Sequence, residues 1–141
     1  MKYISCCVII YYQRYNLRIS NLAWTNDGLS LLGELLEENT LQGSYGAHVV
    51  YRMQKLLKQY IYPKGKHILV IGSTRPWIEA ILLAEGARHI TTLEYNPYPT
   101  ENPKITTISP IDFADQVVSN TAPFFDAMVT FSSLEHSGLG R

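Results

Sequence analysis

Two short stretches constrain the fold of this chain more than any others: Lys66-His-Ile-Leu-Val-Ile-Gly-Ser-Thr-Arg-Pro-Trp-Ile-Glu-Ala80 and Thr91-Thr-Leu-Glu-Tyr-Asn96. Residues 67–71 are continuously apolar after the leading histidine, as expected of a strand covered on both faces. Gly72 then turns the chain. Pro76 suits the first turn of a helix, where its missing N–H costs nothing, and it keeps Arg75 out of the helical region. That helix is predicted to run to about Glu85 and to stop at Gly86, a natural residue for the left-handed cap. A second buried strand, 90–93, ends in Glu94, 22 residues after Gly72. A βαβ unit places an acid at about this spacing to meet the hydroxyls of a bound ribose. Both residues would then sit at the carboxyl ends of neighbouring parallel strands, where open α/β sheets bind ligands.

The rest of the chain fits around that unit. Residues 1–24 form an amino-terminal arm rich in aromatic and β-branched residues but without clean alternation. An edge strand or loosely packed arm is favoured there over a targeting segment: the apolar run 4–12 is shorter than the roughly 20 residues that span a bilayer, and no convincing cleavage site follows. Residues 25–62 read as a helical lead-in. Thr25-Asn-Asp-Gly28 is a turn signal ahead of a helix over 29–38. Gly43-Ser-Tyr-Gly46 breaks that helix, and a second one is predicted over 47–60, ended by Pro63 and Gly65. From residue 63 to 141 strands and helices alternate: further strands at 105–108 and 125–131, with a helix at 113–119. Such alternation implies a parallel sheet with right-handed crossovers. The expected fold class is α/β, a Rossmann-like parallel sheet with flanking helices, cut short after the fourth strand.

Charge and cysteine content exclude several classes. Twelve basic residues balance twelve acidic ones, so no bulk field draws the chain to nucleic acid or to an anionic membrane. The one basic concentration, Arg52, Lys55, Lys58, Lys64 and Lys66, reads as a solvated helix face. Cys6 and Cys7 are adjacent, which disfavours a mutual disulfide. With no CxxC pair and no Asn-x-Ser/Thr sequon, a reduced, cytoplasmic setting is expected. His48, His67 and His89 lack metal-ligand spacing, so no metal site is expected.

Ile71-Gly-Ser-Thr-Arg-Pro-Trp-Ile-Glu-Ala80, Leu93-Glu-Tyr-Asn96 and Ser132-Ser-Leu-Glu-His-Ser-Gly-Leu-Gly-Arg141 resemble the uncharacterised DUF268 family, over roughly residues 45–141. Members of that family look like class I S-adenosylmethionine-dependent methyltransferases. The resemblance implies a seven-stranded α/β fold with S-adenosylmethionine across the ends of the first strands. It also implies transfer of a methyl group to an acceptor that no motif specifies. Under it, Gly72 would turn beneath the methionine part of the donor, Glu94 would accept from the ribose hydroxyls, Asp112 would lie near adenine, and Ser132 to His136 would border the transfer site. The sequence departs from the pattern in two respects: the turn carries a single glycine, and three further strands would be needed for the whole sheet.

The residues also support a choice of ligand without the resemblance. A dinucleotide needs glycines so that backbone can approach a pyrophosphate. Thr74 and Arg75 put side chains at that mouth, which favours S-adenosylmethionine over a nicotinamide cofactor or a nucleotide sugar. The donor's carboxylate could accept from helix N–H groups and from Arg75. The candidate cofactor residues are Gly72, Ser73, Arg75, Glu94, Tyr95, Asp112 and Ser132, and the candidate acid–base pair is Glu135 and His136. Each also has a plain structural reading: Gly72 as a turn, Tyr95 as a loop aromatic, Asp112 as a helix N-cap, Glu135 and His136 as caps of a following helix. Trp77 is read as a packing residue and Asp126 as a turn residue. The competing functional class is a catalytically inactive module whose exposed fourth strand binds a protein partner or a second copy.

Overall fold

The computed structural model describes residues 23–133, so Glu135 and His136, like most of the amino-terminal arm, lie outside the described residues. Helix α1 (Asn26–Glu37) starts earlier than the periodicity predicts, because the Thr25 side chain accepts the Gly28 N–H and caps it. Helix α2 (Ala47–Leu56) runs into a π-helical turn, Leu57–Ile61, which ends at Tyr62 in the left-handed region. Strand β1 (His67–Ile71), helix α3 (Trp77–Ala84) and strand β2 (His89–Leu93) make the expected βαβ unit. Strand β3 (Ile105–Ile108), helix α4 (Pro110–Val118) and strand β4 (Ala127–Thr130) complete the order. Helix α4 opens three residues before the expected start, since Ser109, not Asp112, is its N-cap and Pro110 occupies its first turn.

The four strands form one all-parallel sheet in the order β3-β2-β1-β4. The chain is thus an α/β protein with a Rossmann-like sheet. Pairing of Ile71 with Leu93, and of Ile71 with Thr130, brings three strand ends level on one rim. The β1–β2 connection, which carries α3, and the β3–β4 connection, which carries α4, run in opposite directions across the sheet, so right-handed crossovers put the two helices on opposite faces.

The two faces are covered unequally. On the α3 face, Ile68, Val70, Ile90 and Ile81 have no exposed surface. Helix α1 packs on α3 and contributes Leu29, Leu32 and Leu36 to the same core, so the helical lead-in and the sheet share one interior. Trp24 joins them, fully buried and stacked on Tyr98 at 5.9 Å. On the other face α4 has no buried residue, and Ile111, Val117 and Val118 are exposed. Of the five basic residues, Arg52, Lys55, Lys58 and Lys64 are exposed, with Lys58 paired to Glu85 at 3.3 Å and the Lys55 ammonium 4.4 Å over the Tyr51 ring, whereas Lys66 is half-buried and donates to the Ile61 carbonyl. No helix among the described residues is long and apolar enough to cross a membrane.

Candidate functional site

The site lies on the rim formed by the carboxyl ends of β4, β1 and β2. Gly72 leaves β1 at φ +72°, a conformation that side chains resist. Its N–H donates to the Leu93 carbonyl at 2.9 Å. The glycine turn and the end of β2 are therefore joined directly, and Glu94 stands beside Gly72. Glu94 is half-buried. Its Oε1 accepts the Tyr95 N–H at 2.8 Å, while its own N–H is held by the Ile108 carbonyl at 3.0 Å. The Tyr95 ring is exposed.

A second reason for glycine at position 72 comes from β4. The Ser133 hydroxyl donates to the Gly72 carbonyl at 3.0 Å, and a Cβ on Gly72 would stand 2.3 Å from the Ser133 Cβ. The segment after β4 is itself pinned. Ser132, in the left-handed region, has its Oγ 3.0 Å from the Tyr45 hydroxyl, and the Phe131 ring packs edge-on against Tyr45 and Trp77. Trp77 is buried and serves as packing, and Gly43 lies against it, where a Cβ would come within 3.2 Å of the indole.

Beneath the rim lies a residue that the sequence reading did not single out. Glu79, on α3, has no exposed surface. Thr92 donates to its Oε1 at 2.8 Å, and the Ser73 hydroxyl lies 2.9 Å from its Oε2. Burial, and secondarily the negative charge of Glu94, push its carboxyl up to about 7, although the hydroxyls and its own backbone N–H favour the ionised form. The signal was present in the sequence: Trp-Ile-Glu-Ala-Ile-Leu-Leu-Ala is a helix apolar on every side but for one acid.

The remaining candidates divide. Ser73 is buried and directed to Glu79 and the Arg75 carbonyl, not to the outside. Arg75 is half-buried in the turn. Few N–H groups at the start of α3 are open to a ligand carboxylate, since Pro76 has none, Trp77 donates to the Arg75 carbonyl and Glu79 uses its own. Asp112 is tied to the N-cap of α4: the Ser109 hydroxyl donates to its carboxylate at 2.6 Å and accepts its N–H at 3.1 Å. Asp126 is more than a turn residue, because its carboxylate accepts the His67 N–H at 2.7 Å and so anchors the start of β1. His67 and His89 meet at 4.9 Å on the opposite rim, each bonded to a threonine. Burial, with the neighbouring charge of Arg88, holds both below the usual imidazole range, and His89 adds to the effect on His67. Among the described residues no group of three or more metal-ligating side chains assembles. A small apolar cleft between α1 and α2, lined by Leu36, Leu41 and Val50, is separate from the rim.

Parallel sheet and level strand ends together define a Rossmann-like α/β protein with a polar rim, built from Gly72, Glu94, Tyr95 and Ser132. More particularly, the chain belongs to the family described as Caenorhabditis protein of unknown function, DUF268, whose model matches residues 65–141. No curated protein and no solved structure matches it.

Two outcomes are expected from this geometry. Gly72→Ala should destabilise the fold by more than about 1 kcal/mol, through φ strain plus the clash with Ser133. Adding Ser133→Gly should recover part of that loss, a coupling that a double-mutant denaturation cycle measures. Glu79 sets the pH dependence. Unfolded, it ionises above about 4.5, whereas folded it keeps its proton to about 7. Unfolding therefore releases a proton in that window, and stability falls as pH rises from 4.5 to 7 by about 3 kcal/mol. Glu79→Gln should flatten this part of the profile in urea titrations; an unchanged profile would assign the slope elsewhere.

Proposed function

We propose that this chain is an S-adenosylmethionine-binding, methyltransferase-like domain. The observation that carries the reading is the hydrogen bond from Gly72 N–H to the Leu93 carbonyl. It sets a glycine turn beside a rim carboxylate, the pairing with which Rossmann-like sheets hold adenosine. The residues fit the donor in part. Glu94 uses one oxygen on the Tyr95 amide, which leaves the other for ribose hydroxyls, and exposed Tyr95 is at hand for the adenine. Arg75 is the residue suited to the donor's carboxylate, and it has little help from the start of α3. Ser73 and Asp112 support the site from within, through Glu79 and through the cap of α4. Ser132 borders the rim where an acceptor would sit.

When bound, the donor supplies a methyl group already activated as a sulfonium. The chain's own contribution is then alignment and exclusion of water, with Glu135 and His136 as the candidate acid–base residues. Thr74 and Arg75 at the mouth weigh against a dinucleotide. Calorimetric titration with S-adenosylhomocysteine is the test. One-to-one binding is expected, weakened about 10- to 100-fold by Glu94→Ala, the weight of a hydrogen bond to a charged group. Folded protein that gives no heat would end this reading.

A second reading rests on a different observation. Among the described residues β4 is an edge strand whose Met128 is 56 % exposed, and the nearby Phe124 is 98 % exposed. An open apolar edge of this kind recruits another strand. On this reading the chain acts by pairing β4 with a partner, a second copy being the simplest. Light scattering across a dilution series should then show a dimer that Met128→Lys dissociates. A monomer at every concentration would count against it.

A further inference from the structure

The Ser73 hydroxyl makes two contacts that cannot both be full two-centre donations, since one proton shared between two acceptors weakens each bond. Its Oγ lies 3.0 Å from the Arg75 carbonyl and 2.9 Å from Glu79 Oε2. A hydroxyl carries one proton, and a carbonyl or an ionised carboxylate can only accept. Both contacts reach full strength together only when Glu79 carries the proton on Oε2 and donates it to Ser73, which in turn donates to Arg75. The order is then a relay: Glu79 to Ser73 to the backbone of the turn. If Glu79 ionises, Ser73 turns its proton to the carboxylate, and the Arg75 carbonyl loses that hydroxyl while keeping the Trp77 N–H.

We propose that Glu79 is a positioning residue for the ligand-facing turn: as the neutral acid it lets Ser73 close the turn onto the Arg75 carbonyl, and on ionising it draws the Ser73 hydroxyl away from that carbonyl. This rests on the reading of the rim as a cofactor site and adds its regulation. The surroundings suit a switch between two forms. From the turn Glu79 meets Ser73, from β2 it meets Thr92, and the charge acting on it through space is Glu94 just past the strand end. Helices α1 and α2 bring only uncharged buried side chains into the shared core, Leu29, Leu32, Leu36 and Val50. Burial raises the carboxyl to about 7, so the exchange between forms falls at neutral pH. The turn is held more firmly on the acid side.

The test uses Glu79→Gln and Ser73→Ala. The glutamine amide donates to Ser73 and its carbonyl accepts from Thr92, so this variant keeps the acid-form relay at every pH. Affinity for S-adenosylhomocysteine is measured by titration between pH 6 and pH 8.5. Wild type should weaken by about 2- to 10-fold over that range, the value of one neutral hydrogen bond. Glu79→Gln should hold the low-pH affinity throughout, and Ser73→Ala should bind weakly and evenly. Amide hydrogen exchange over residues 72–75, corrected for its intrinsic pH dependence, gives a readout that needs no ligand. Protection should drop with rising pH in wild type alone. Binding whose pH profile is the same in wild type and Glu79→Gln overturns the role of Glu79 and leaves the cofactor reading intact. Exchange that switches as described in a protein that binds nothing supports Glu79 and removes the cofactor reading.

Discussion

The parallel pairing of β1 with β2 is the constraint on which the rest of this structure depends. Because Ile71 lies opposite Leu93, the two strands end together, and the residue that follows each is delivered to the same place. Gly72 can then donate its N–H to the Leu93 carbonyl. A slip of one residue would turn the apolar faces inside out and part Gly72 from Glu94. The buried row Ile68, Val70 and Ile90 makes that slip costly, since it would carry fully buried side chains toward the thinly covered face.

Below this rim the interior holds an acid where an apolar residue would pack more simply. Burying a carboxyl is expensive unless it is hydrogen-bonded or neutral, and Glu79 meets both conditions in part. Ser73 and Thr92 come from the two segments that must stay in step, the turn after β1 and the body of β2. Glu79 therefore links the same two elements that the backbone bond links, from the opposite side. The backbone bond carries no titratable group; the other connection does.

The asymmetry of the sheet bears on how the protein meets other molecules. The α3 face is dense, with α1, α2 and Trp24 completing it. The α4 face and the β4 edge carry large exposed apolar groups instead. The rim and the β4 edge meet at the end of β4, where Ser132 and Ser133 touch Tyr45 and Gly72.

Much of the framework was legible along the chain. The apolar run ending at Gly72, the acid at Glu94, the C-cap at Gly86 and the bounds of β3 follow from local periodicity and turn chemistry, which act within a few residues. The early starts of α1 and α4 were missed because Thr25 and Ser109 cap them through their own side chains, a competition that periodicity does not register. Tertiary structure alone decided what Gly72 touches, since Ser133 is 61 residues away, and what holds Ser132, since Tyr45 is 87 residues away. It also decided the role of Glu79: a lone acid in an apolar helix announces that something must satisfy it, but only the folded chain supplies Ser73 and Thr92. Local residues determine where a strand or helix begins and ends, whereas the partners of a buried polar group depend on which distant segments the packing brings within hydrogen-bonding reach.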